Sequence, residues 1–164
     1  MKIFVDTWGW LTLLDRKESR HLELKEFYSQ FRNQRGIVYT SDYVLDETIT
    51  LLFRRLPFET SKGILVKIDE AITTGYILIE WINPERFDKA KELRFKYQDK
   101  PKISFTDLSS MVVMKELDVK DIITGDEHFE YVGMGFQRKP EVFTHRLPQY
   151  DLLYLQGSQT YTQT

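Results

Sequence analysis

The sequence contains no cysteine among its 164 residues. That absence removes disulfide bonds, thiolate zinc sites and cysteine nucleophiles together. It fits a reducing compartment, and the expected location is cytoplasmic. No apolar run approaches the roughly 20 residues that a transmembrane helix needs. The opening Met1-Lys2-Ile3-Phe4-Val5-Asp6 is too short an apolar stretch for a signal peptide, so no membrane association is expected. An excess of basic charge is missing as well. Lys and Arg total 23 against 25 Asp and Glu, a formal charge of −2, with a pI of about 6.0. Phosphate neutralisation needs Lys and Arg, so the surface as a whole is unsuited to non-specific nucleic-acid binding. A local basic rim is still compatible with this balance. The clusters Arg54-Arg55, Lys89-Lys91, Arg94-Lys96 and Lys100-Lys102 read first as solvated helix faces.

What is present is ordinary for a soluble globular domain: 41% hydrophobic and 29% charged residues. Eleven Phe, nine Tyr and three Trp supply bulky core material, and the length suits a single core. Ile3-Phe4-Val5 reads as a buried strand ending in Asp6. Further strands are expected at 37–39, 76–82 and 122–124, with a possible fifth at 133–136. Between them the pattern predicts helices over 7–14, 19–34 with Ser19 as N-cap, 41–55 capped by Ser41, and 62–74 opened by Thr60 or Ser61. Pro84 begins another through Tyr97, and Thr106 is read as the cap of a short apolar helix to about Leu117.

Strands separated by one or two helices pair in parallel through crossover connections. The expected fold is α/β: three layers, α/β/α, around a central mostly parallel sheet of four or five strands. A domain over residues 1–140 is followed by a C-terminal extension, 141–164. There Leu152-Leu153-Tyr154-Leu155 suggests a packing or dimerisation element, and the final Gly157–Thr164 a disordered polar tail.

In an open parallel sheet, ligands bind outside the carboxyl ends of the strands. Two of the strands end in acids, Asp6 and Asp126. Asp107 falls in the first turn of a helix and Glu47 within the helix after the second strand. Each has an innocent explanation: Asp is common in turns, and an acid in a first turn suits the helix dipole. On a helical wheel Glu47 lies opposite the stripe of Leu45, Ile49, Leu52 and Leu56, beside Tyr43, Thr50 and Arg54, where a solvated glutamate is unremarkable. As a set they mean more. Carboxylates converging on one point repel one another, so the pocket is tolerable only if some protonate or a cation neutralises them. Oxygen ligands without thiolates point to Mg2+ or Mn2+ rather than zinc.

Four segments in order then resemble PIN-domain ribonucleases: Ile3-Phe4-Val5-Asp6-Thr7, Thr40 through Thr48, Phe105-Thr106-Asp107, and Ile123 through Phe129. The resemblance extends to about residue 137, and the chain continues beyond it. It implies a metal-dependent endoribonuclease of the kind found as VapC-type toxins in toxin–antitoxin pairs. Asp6, Glu47, Asp107 and Asp126 become the acidic quartet that holds Mg2+ or Mn2+. Thr7 and Thr124 become supports for those carboxylates, Glu127 a weaker accessory, and His128 a structural residue. The resemblance also implies an RNA substrate, a small antitoxin partner that covers the site, and a homodimer. RNA would be read by Arg, Lys and aromatic side chains at the crevice mouth, with Arg54, Arg55, Arg94 and Lys96 as candidates.

Other classes fit less well. A phosphoacceptor receiver needs an adjacent acidic pair after its first strand, whereas Asp6 is followed by Thr7 and Trp8. A haloacid-dehalogenase-like phosphatase needs an acid at position 8, which is Trp. An RNA-processing nuclease that is not a toxin, or a non-catalytic module on the same fold, remains as the alternative.

Overall fold

The computed structural model describes residues 1–141. The expectations for 142–164, including the extension and its polar tail, lie outside the described residues. The elements run β1 (Lys2–Val5), α1 (Thr7–Leu14), α2 (His21–Asn33), β2 (Ile37–Ser41), α3 (Asp42–Arg55), α4 (Phe58–Thr73), β3 (Leu78–Glu80), α5 (Pro84–Lys96), α6 (Phe105–Glu116), β4 (Asp121–Ile123), α7 (His128–Tyr131) and β5 (Gln137–Arg138).

The strands form one sheet in the order β3-β2-β1-β4-β5. Among the described residues every pairing is parallel, in keeping with the expected parallel sheet. β1 lies at its centre, with Ile3 opposite Val38 on one side and Phe4 opposite Ile122 on the other. Ile3, Phe4 and Val5 are all fully buried. Successive strand side chains point to opposite faces, so three buried neighbours in a row require helices over both faces. This is the three-layer arrangement expected from the sequence. The core joins these residues to Val38, Ile122, Ile123, Leu108, Met111 and Phe129.

Several boundaries differ from expectation for physical reasons. The fifth strand is Gln137–Arg138 rather than 133–136, because Gly133 and Gly135 adopt φ of 70° and 81°, a left-handed conformation incompatible with an extended strand. Helix α4 begins at Phe58, immediately after Pro57. Ser61 does not cap it; its hydroxyl donates to the Leu52 carbonyl at 3.1 Å and ties α4 to α3. Helix α2 begins at His21 without a side-chain cap, so Ser19 does not serve as one. Helix α6 is capped by Ser104, two residues before the Thr106 expected there. Among the described residues no helix is long and apolar enough to cross a membrane.

Candidate active site

The carboxyl ends of β1 and β4 lie side by side, and Asp6 follows the first of them. Its backbone N–H donates to the Ile123 carbonyl at 3.2 Å, which continues the β1–β4 pairing by one residue. Its side chain caps α1 by accepting from Gly9 N at 2.8 Å. The turn beneath it is braced by Thr40, whose hydroxyl donates to the Val5 carbonyl at 3.0 Å and accepts from Trp10 Nε1 at 3.0 Å. Asp6 is only 6% exposed. Burial, with smaller contributions from Asp107 and Asp126, pushes its carboxyl from 3.8 up to about 7, while Thr124 and the Gly9 N–H pull in the opposite direction. A carboxyl so buried stays charged near neutral pH only at a cost, which protonation or a cation beside it relieves.

Asp107 and Ser104 form a capping box at the start of α6. Asp107 N donates to Ser104 Oγ at 3.0 Å, and Asp107 Oδ2 accepts from Ser104 N at 2.9 Å and from Ser104 Oγ at 2.7 Å. Burial raises the Asp107 carboxyl above its ordinary value, the Ser104 bonds oppose this, and Asp126 and Glu47 add repulsion. Asp126 stands after β4 with its N–H donating to Thr124 Oγ1 at 2.9 Å. Its Oδ1 accepts from His128 N at 2.8 Å and also meets His128 Nδ1. Glu47 is exposed on α3, and its Oε2 accepts from the Thr7 hydroxyl at 2.8 Å.

All four acids line one crevice of about 320 Å³, together with Thr7, Trp8, Leu11, Glu18, Val44, Leu51, Arg55, Ser104, Thr106 and Ser110. Among the described residues, however, no three acidic or imidazole groups already stand within reach of one ion. One oxygen is engaged on each, Oδ1 of Asp6, Oδ2 of Asp107, Oδ1 of Asp126 and Oε2 of Glu47. The donor set itself, hard oxygens around a buried and destabilised carboxylate, fits Mg2+ or Mn2+.

The other expected residues fall in different places. Thr124 is buried and supports Asp126, while Thr7 supports Glu47. Glu127 is exposed at the start of α7 and is not among the crevice-lining residues. His128 contacts Asp126 through its backbone N–H and its Nδ1. Arg55 lines the crevice, and Arg54 lines a neighbouring one of about 640 Å³ with Tyr43, Asp46, Glu47, Thr50 and Thr106. Arg94 is not free to read a substrate: it donates to the Ile103 and Lys100 carbonyls at 2.8 Å each and also to that of Tyr97. Lys96 lies over the Tyr97 ring, away from the crevice.

Three residues of the site were not expected. Ser104 was signalled by the spacing Ser-x-x-Asp, a capping-box pattern. Trp8 was read only as a helix residue. It packs against Gly125, where a Cβ would come within 2.9 Å of the indole ring. Glu18 carries no local signal, since it reaches the crevice from the α1–α2 connection.

Comparison with known proteins identifies relatives of this chain. A family model described as PIN domain matches residues 3–134. The 23S rRNA-specific endonuclease VapC20 of two Mycobacterium tuberculosis strains is 28% identical over 131 residues, which cover 80% of this chain and 94% of the relative. The crystal structure of Mycobacterium tuberculosis VapC20, described as a sarcin-ricin loop cleaving toxin, matches with a TM-score of 0.67 at 28% identity, over 80% of this chain and 95% of that one. With the family model spanning most of its length and the solved structure sharing its architecture, the chain belongs to the PIN domain family.

Proposed function

We propose that the protein is a metal-dependent endoribonuclease and the toxin of a toxin–antitoxin pair. The observation that carries this reading is the gathering of Asp6, Glu47, Asp107 and Asp126 into one crevice at the carboxyl ends of β1 and β4. Asp6 and Asp107 are the principal ligands for Mg2+ or Mn2+, with Asp126 and Glu47 completing the set. When bound, the cation lowers the cost of deprotonating water and stabilises charge on the phosphate.

The protein's own groups do the positioning. Thr7 holds Glu47, which orients the attacking water. Thr124 and His128 hold Asp126, and Ser104 holds Asp107. Water adds to the phosphorus and the bond to the 3′ oxygen breaks, leaving a 5′-phosphate and a 3′-hydroxyl. The ribose 2′-hydroxyl stays intact, so products with 2′,3′-cyclic phosphate ends would contradict the scheme.

The similarity to VapC20 makes the sarcin–ricin loop of 23S rRNA the first substrate to try. A small antitoxin, a homodimer and a cytoplasmic location belong to the same reading. The test is cleavage of structured RNAs with and without Mg2+ or Mn2+, comparing wild type with Asp6→Asn. Metal-dependent cleavage lost in the variant supports the nuclease. Equal activity in both excludes Asp6 from the site, and metal binding without any cleavage favours a non-catalytic module.

A further inference from the structure

The crevice carries an imbalance of charge at its mouth. Besides the four acids, its lining among the described residues includes a fifth, Glu18, and a single cation, Arg55. The two meet across 37 positions of sequence, from the α1–α2 connection to the last turn of α3. The contact is one bond, Arg55 Nη1 to Glu18 Oε1 at 3.2 Å, between side chains 47% and 33% exposed. Such a pair contributes little to stability.

The arginines that serve the fold are used differently. Arg86 reaches Glu116 through Nε, Glu80 through Nη2 and the Trp81 carbonyl through Nη1, all at 2.8–2.9 Å. Arg94 clips three backbone carbonyls. Among the described residues Arg55 commits one nitrogen, loosely, to one oxygen. A guanidinium is a planar fork suited to two phosphate oxygens at once, so most of its capacity is unspent beside a crevice that must admit a polyanion.

We propose that Arg55 is the phosphate-binding residue at the mouth of this crevice and that Glu18 is its internal competitor, occupying it when no RNA is bound. The proposal rests on the ribonuclease reading of the acidic crevice. An RNA phosphate replaces the Glu18 carboxylate on Arg55 and gains a second hydrogen bond that Glu18 does not make. Glu18 thereby sets a threshold: an anion must engage the fork better than a single carboxylate oxygen does. Arg55 is a binding residue, and Glu18 acts on RNA only by competing for it.

The test measures binding of a fluorescein-labelled sarcin–ricin hairpin RNA by anisotropy, with calcium replacing magnesium, over about 50 to 200 mM salt. Cleavage by the same proteins in magnesium or manganese is followed in parallel. Arg55→Ala is expected to weaken binding about tenfold and to flatten the salt dependence by about one phosphate contact. Arg55→Lys restores the salt dependence but only part of the affinity, because it keeps the charge without the fork. Glu18→Gln tightens binding several-fold. Both Arg55→Ala and Glu18→Gln leave the thermal midpoint near that of the wild type.

Unchanged affinity and salt dependence in Arg55→Ala overturns the proposal. So does weaker binding by Glu18→Gln, since Glu18 would then be a brace for Arg55 rather than its competitor. Binding that needs Arg55, in a protein that cuts no RNA with either metal, keeps Arg55 as a phosphate-binding residue but makes the crevice that of a non-catalytic RNA-binding module. Cleavage and binding indifferent to Arg55 do the reverse.

Discussion

The Thr7 hydroxyl donates to Glu47 Oε2 at 2.8 Å and so ties the first turn of α1 to the middle of α3. Glu47 is exposed, and an exposed glutamate samples several rotamers unless something holds it. Thr7 is placed to do so because it follows Asp6 directly, at the point where β1 turns into α1. One short turn therefore supplies both a buried carboxylate and the anchor of a second one.

Removing that anchor tests its role. Thr7→Val keeps the branched shape and deletes the donor. The expected stability loss is within about 1 kcal/mol, as for one partly exposed hydrogen bond. The turnover number should fall about tenfold or more while KM changes little, because misplacing an orienting group acts on the reacting geometry. A Thr7→Val enzyme with unaltered kcat would show that Glu47 needs no such restraint.

The Asp6 carboxyl has a folded-state pKa of about 7 against an ordinary 3.8. Between those values the folded protein holds a proton that the unfolded chain releases. Stability from this group is therefore complete below about pH 4 and is lost as pH rises toward 7, by roughly 4 kcal/mol at most. Asp6→Asn cannot ionise, and its amide oxygen can still cap α1. Urea denaturation in EDTA should show the variant gaining on the wild type as pH rises from 4 to 7. A constant difference across that range would mean that burial does not penalise the charge. Adding Mg2+ should raise the melting temperature of the wild type above pH 7 and leave the variant's nearly unchanged.

Ser104 has two effects that can be separated. It caps α6, and its hydrogen bonds restrain the rise in the Asp107 carboxyl. Ser104→Ala should cost about 1 kcal/mol, the usual loss for a cap. It should also move the acidic limb of the rate profile to higher pH, since Asp107 then ionises less readily. A loss of stability with an unshifted profile would confine Ser104 to the fold.

How far the sequence revealed the site depended on the range of the interactions. Asp6 and Asp126 were legible because both follow short apolar strands, and strand ends in a parallel sheet point to one edge. Glu47 read as a solvated residue, and by exposure it is one. Its place in the crevice comes from packing of α1 on α3, which brings Thr7 to it across 40 positions. The capping of α6 is visible as Ser104-x-x-Asp107, but Thr106 also carries a hydroxyl suited to a cap; the reciprocal bonds decide for Ser104. Glu18 could not be found from local pattern at all, because only the tertiary meeting with Arg55 gives it a role.

Gly9 offers the sharpest test of how the fold serves the site. It sits in the first turn of α1, where that helix presses onto the junction of β1 and β4. A Cβ there would lie 2.6 Å from the Ile123 carbonyl oxygen and 2.8 Å from both Ile123 Cγ2 and Val5 Cγ1. The nearest of these atoms is backbone and belongs to the same carbonyl that accepts from Asp6 N. It cannot move without opening the strand ends. Gly9→Ala is therefore expected to destabilise by about 1–3 kcal/mol, although alanine is favoured over glycine in a helix by about 1 kcal/mol. Because Gly9 N is also the donor to Asp6, cleavage should fall further than the loss of folded protein explains. Gly63→Ala in α4 provides the control: among the described residues nothing lies within 4 Å of a Cβ there, so the same change should stabilise by roughly 0.4–1 kcal/mol and leave cleavage alone. Urea denaturation of the two variants side by side checks both signs. If Gly9→Ala proved as stable as Gly63→Ala, α1 would not be seated on the sheet closely enough to fix Asp6.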